Sequence, residues 1–163
     1  MPLEMGLPLL AHRLTKWYLD AFFFELLSAY DTLLQELNVL YKIDFDIERV
    51  NWNSIKDKLP NTMRDLMKKE RDHEWFRELS WYRNTTSHRA YVPISSFLSG
   101  PGEHILDYDS HEIGLQYFNK KTQQLKEQKI DKACPLYLKN MVKFIHTVWN
   151  QLAEEFAFSL KRD

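Results

Sequence analysis

The sequence predicts an all-α fold: a bundle of four to five helices with one long inserted connection that can carry a small β-hairpin. Three observations lead there. Apolar residues recur at alternating spacings of three and four over most of the chain. Glycine is scarce, four residues in 163. The helix breakers Pro93, Gly100, Pro101 and Gly102 are gathered in one stretch, residues 91–130.

Leu19, Phe23, Leu26, Tyr30, Leu33, Leu37 and Leu40 form one continuous stripe and predict a first helix over residues 9–42. A second stripe, Leu10, Leu14, Trp17, Ala21 and Phe24, lies on another face. Between Trp17 and Leu27 the helix is therefore apolar nearly all round. Such a segment is wrapped by neighbouring helices or by a second copy of the chain, and both readings stay open.

Residues 43–59 read as a connector followed by a short helix, with Asn53 as its cap. Pro60 suits the start of the next helix, because the first turn has no use for its missing N–H. Met63, Leu66, Met67, Phe76, Leu79 and Tyr82 continue that helix until it ends near His88, ahead of Pro93. Within the breaker-rich stretch, His104–Tyr108 and Ile113–Phe118 alternate as strands do, so a hairpin or an ordered loop fits there. The last helix is expected from Pro135, with Leu138, Met141, Ile145, Val148, Leu152, Phe156 and Leu160 on one face. No repeat or linker divides the chain, so residues 1–163 are expected to form one domain.

Bulk properties narrow the function classes. A net charge of −1 and a pI near 6.6 give no global electrostatic footprint for nucleic acid or an anionic membrane. The longest apolar-rich run contains Asp20 and Glu25 and is too short to span a bilayer, and no signal peptide is recognisable. A lone cysteine, Cys134, points to a reducing, cytoplasmic compartment. Local charge is less even: Lys120, Lys121, Lys126, Lys129, Lys132, Lys139 and Lys143 face only Glu127 and Asp131. Lys120, Lys121 and Lys126 are candidate RNA-backbone contacts, with a solvated loop as the plain alternative.

Most catalytic motifs are absent. No glycine-rich phosphate loop, His-Glu-x-x-His or cysteine pair occurs, and no cofactor or metal is expected. Asp107, Asp109, His111 and Glu112 carry metal-ligand atoms, but solvated loop acids are the commoner outcome. Cys134, one residue before the proline of the expected helix start, can have its thiol acidified by helix N-terminal amides, although a packing role is favoured.

The segment Trp81-Tyr82-Arg83-Asn84-Thr85-Thr86-Ser87-His88-Arg89 stands apart. Asn84 and His88 are four residues apart, one helical turn, so the amide can hold the imidazole in one orientation. Arg83 and His88 are separated by about 140° on an ideal helix, and a long side chain or a bend at Thr85–Ser87 is needed to bring them together. A histidine at a helix C-terminus is favoured in its protonated form. Arginine offers bidentate donors to a phosphate that gains charge, and histidine exchanges protons near neutral pH. The pair suits RNA cleavage without a metal: the 2′-OH attacks the phosphate, Arg83 stabilises the phosphorane, and His88 protonates the leaving 5′ oxygen.

Arg83-Asn84-x3-His88 resembles the mark of the HEPN superfamily (higher eukaryotes and prokaryotes nucleotide-binding): Arg, usually a polar residue, a few residues, then His, on a helical bundle. An Arg-Asn-x3-His arises by chance in roughly 0.02 such chains. The resemblance implies a metal-independent endoribonuclease with Arg83, Asn84 and His88 as its catalytic group, working as a homodimer that unites two motifs in one cleft. It also implies an RNA or nucleotide ligand and a cognate antitoxin-like partner in a toxin–antitoxin or defence setting. The alternative it leaves open is a non-catalytic dimeric helical module binding nucleotide or a partner protein.

Overall fold

A computed structural model describes residues 6–89, 94–98, 111–119 and 122–159, with side chains at 13–85, 114–119 and 122–157. Five helices appear in chain order: α1 (Gly6–Leu40), α2 (Trp52–Ile55), α3 (Asn61–Arg71), α4 (Glu74–Arg89) and α5 (Ile130–Ser159). Between α4 and α5 lie β1 (Ile94–Leu98), β2 (His111–Asn119) and β3 (Gln124–Lys129), an antiparallel sheet in the order β1-β2-β3. The chain is an all-α bundle with a small β insertion. Among the described residues, no helix is long and apolar enough to cross a membrane.

The main stripe of α1 packs as its spacing requires: Leu19, Phe23, Leu26, Tyr30, Leu33 and Leu37 are all buried. The second stripe does not, for Leu14, Trp17, Ala21 and Phe24 are exposed on the single chain. The helix ends without glycine. Lys42 takes a left-handed φ of 51°, and the buried Asn38 amide clamps the exit by donating to the Phe45 carbonyl and accepting from its N–H.

Three boundaries differ from the sequence expectation. The cap of α2 is Asn51, not Asn53: its side chain accepts from the Ser54 N–H, and Ser54 Oγ accepts from the Asn51 N–H, a reciprocal box. The helix expected from 61 to 88 is two helices, parted at Asp72 and His73. From Met67 to Phe76 is nine residues, half a revolution of an α-helix. One straight helix would have turned one of them outward, and the break lets both be buried. The last helix begins at Ile130 rather than Pro135, which sits inside it. A proline in the second turn loses the bond to the carbonyl four residues back and crowds that carbonyl, a cost offset by the burial of Ala133, Tyr137 and Met141.

The expected strand at 113–118 lies within β2, whose two neighbours are β1 and β3. The expected partner His104–Tyr108 falls outside the described residues. β3 comes instead from the lysine-rich segment.

Contacts divide the chain into two compact units, with boundaries inside α1, α4 and α5. The first, Met1–Phe23 with Ser80–Leu136, holds the sheet and the second half of α4. Its described core is Leu19, Phe23, Tyr82, Leu115, Tyr117 and Ala133. The second, Phe24–Leu79 with Tyr137–Asp163, is purely helical. Tyr30, Phe76 and Phe144 cluster at its centre with centroid separations of 4.9 to 6.1 Å. Glu155 of α5 gathers Tyr41, Thr62 and Gln151, while Arg71 lies 5.1–5.4 Å from the rings of Trp52, Phe76 and Tyr30.

Candidate functional site

The motif occupies the last turns of α4. Its helix runs without interruption through Thr85, Thr86 and Ser87 to Arg89, so no bend intervenes between Arg83 and His88. Asn84 and His88 therefore keep the one-turn spacing that puts them on the same face, and any approach of Arg83 falls to the length of its side chain. Asn84 is exposed and Arg83 half-buried. His88 is placed by its backbone, the penultimate residue of the helix; its imidazole lies outside the described side chains.

Aromatic packing holds this part of α4 within its unit. Tyr82 is fully buried and stacks on Phe23 of α1, with centroids 4.6 Å apart and planes 15° from parallel. Tyr117 of β2 meets the Trp81 ring edge-on at 5.3 Å. Trp81 is seven residues before His88, two turns, and so belongs to the face of Asn84 and His88. Sequence reading named Trp81 within the motif segment and Tyr117 within the expected strand but gave neither a part in positioning the motif, although the alternation of Leu115 and Tyr117 in β2 marks the inner face of a strand.

Of the three candidate RNA-binding lysines, only Lys126 is described; Lys120 and Lys121 fall outside. Lys126 pairs across the sheet with Tyr117, and Gln128 with Leu115. Cross-strand partners share a face, so half-buried Lys126 lies on the same side as the tyrosine that packs on α4. The opposite face carries the exposed pair Phe118 and Leu125.

Other candidates separate cleanly. Cys134 lies inside α5 rather than ahead of it, is half-buried, and burial pushes its thiol up to about 11. The expected acidification therefore gives way to packing. Asp107 and Asp109 of the acidic cluster lie outside the described residues, and His111 and Glu112 are placed by backbone alone. A buried carboxylate that sequence reading missed is Glu78, which accepts a hydrogen bond from Tyr137 at 2.7 Å within the helical unit. The two are 59 residues apart, beyond any local pattern.

Comparison with known proteins adds the family. A model described as HEPN_Cthe2314-like HEPN matches residues 9–153. No curated protein and no solved structure matches significantly. The family match runs from the first turns of α1 to the last turns of α5, and so takes in the whole helical frame and α4 with its motif; the chain belongs to the HEPN_Cthe2314-like HEPN family.

Proposed function

We propose that this chain is a metal-independent endoribonuclease, active as a homodimer in which Arg83, Asn84 and His88 of two copies line one cleft. The observation that carries the reading is the register of α4: an uninterrupted helix with Asn84 one turn before His88 and Arg83 the residue before Asn84. His88 of one copy takes the 2′-OH proton as the oxygen attacks phosphorus. The other copy's His88 protonates the departing 5′ oxygen, leaving a 2′,3′-cyclic phosphate and a 5′-OH. The guanidinium of Arg83 offsets charge on the phosphorane, and Lys126 holds the backbone at the sheet side, with Lys120 and Lys121 as further candidate contacts to the RNA backbone.

A second copy has a surface to occupy. Trp17 is 75% exposed and Tyr18 74% in the single chain, beside exposed Leu14 and Ala21. Large aromatics left in water on one helix face favour association. Its single, half-buried cysteine suits a reducing cytoplasm.

The test is cleavage of single-stranded RNA in EDTA by wild type, Arg83→Ala and His88→Ala, with folding and dimerisation monitored by circular dichroism and sizing. Loss of the histidine should lower the rate by about 10²–10⁴, and loss of the arginine by a comparable factor. A folded His88→Ala variant as fast as wild type sinks the mechanism. Wild type that binds nucleotides as a dimer without cutting RNA supports the second reading, a non-catalytic module, which the same exposed α1 face would serve.

A further inference from the structure

Helix α5 has two apolar faces, and among the described residues only one of them is buried. Tyr137, Met141, Phe144, Val148 and Leu152 are buried. Leu138, Val142 and Trp149 form a second row at spacings of four and seven, and are 48%, 46% and 43% exposed; half-buried Ile145 joins the two faces. Burying large aliphatic and aromatic side chains is strongly favourable, so leaving three in water on one stripe marks a contact surface.

Beside this row runs a basic one. Lys139, Lys143 and His146 each follow an apolar residue of the stripe by one position, so the two rows lie side by side along the helix. All three are exposed, and no carboxylate lies within ion-pair distance of them among the described residues. From Lys132 to Ala153 the helix has no aspartate or glutamate at all. An apolar stripe with a one-sided basic border fits an amphipathic helix whose own border is acidic.

A second copy of the same face is a poor fit. In an antiparallel two-fold contact like flanks meet, which sets the lysine row of one copy against that of the other. Nucleic acid would use the lysines and stack on Trp149, but would leave Leu138, Val142 and Ile145 uncovered. We propose that the outer face of α5 docks an acidic amphipathic helix of another protein, independently of any nuclease activity.

Two synthetic peptides with the same helical leucine pattern, one bordered by glutamate and one by lysine, are titrated into the full chain and followed by fluorescence anisotropy. The glutamate peptide should bind at low salt, weaken as salt rises, and bind at least about tenfold more tightly than the lysine peptide. Val142→Gln with Trp149→Gln should reduce its binding about tenfold or more, with the circular dichroism spectrum unchanged. Lys139→Glu with Lys143→Glu should reverse the preference, a gain that misfolding cannot produce. Equal affinity for both peptides, or for neither, overturns the proposal. So does dissociation of a homodimer by the Val142/Trp149 variant, which makes the face a self-contact. Charge reversal that weakens RNA retention and leaves peptide preference unchanged also overturns it.

Discussion

Phe23 lies nearly flat on Tyr82, 4.6 Å between ring centroids, one residue before Arg83 in the helix that carries the motif. Both rings are wholly excluded from water. Truncation should open a cavity rather than relax the packing: Phe23→Ala is expected to cost about 3–5 kcal/mol. Urea denaturation would register it as a lower midpoint at constant slope. Trp17→Ala, exposed on the same helix, should change monomer stability by less than about 0.5 kcal/mol and act on association instead, which sedimentation would show.

The hydrogen bond from Tyr137 to Glu78 is buried, so removing its donor matters more than the bond's mean worth. Tyr137→Phe keeps the ring and strips a donor from a carboxylate that water cannot reach. A loss of about 1–3 kcal/mol is expected. Thermal melts of the variant beside wild type at neutral pH would measure it.

Burial raises the Glu155 carboxyl, but hydrogen bonds from Tyr41, Thr62 and Gln151 outweigh that and hold it below the usual carboxylate range. A depressed folded value means stability that is complete above the ordinary glutamate pKa of about 4.3 and lost as pH falls through the folded one. Glu155→Gln should therefore be less stable than wild type at pH 6, and the gap should close in acid. Urea titrations from pH 6 to pH 3 would follow it.

With its pKa raised to about 11 by burial, Cys134 is almost wholly a thiol at pH 8. Its alkylation should run about 100-fold slower than that of a free cysteine near pKa 8.5. Iodoacetamide labelling with and without denaturant would show the reactivity released by unfolding.

Within the motif the three positions should not be equivalent. Asn84→Ala removes an orienting group one turn from His88 and should slow cleavage less than His88→Ala does. Lys126→Glu should weaken RNA binding and flatten its dependence on salt. An unchanged salt slope would mark Lys126 as plain surface.

Much of this was legible because it repeats along the chain. The buried stripe of α1 follows from spacing alone, and so does the one-turn relation of Asn84 to His88. What escaped depended on distant partners or on phase. β3 shows one apolar residue, Leu125, among lysines and polar groups, and becomes a strand by pairing with β2. The buried face of α5 includes Tyr137 and Phe144, while the expected Leu138 and Phe156 are exposed and Ile145 is half-buried, because two apolar rows compete there and only packing chooses between them. The Met67–Phe76 interval did carry the α3–α4 break as a half-turn mismatch, hidden by residues that each suit a helix.

That break at Asp72 and His73 works as a clutch. An inserted or deleted residue rotates everything downstream in a continuous helix by about 100°, and α4 begins afresh after two non-helical positions. Length changes within α3 can therefore be absorbed before they reach Arg83, Asn84 and His88, whereas one residue added between Asn84 and His88 has nothing to absorb it. The chain can drift in length on one side of His73 and must keep count on the other.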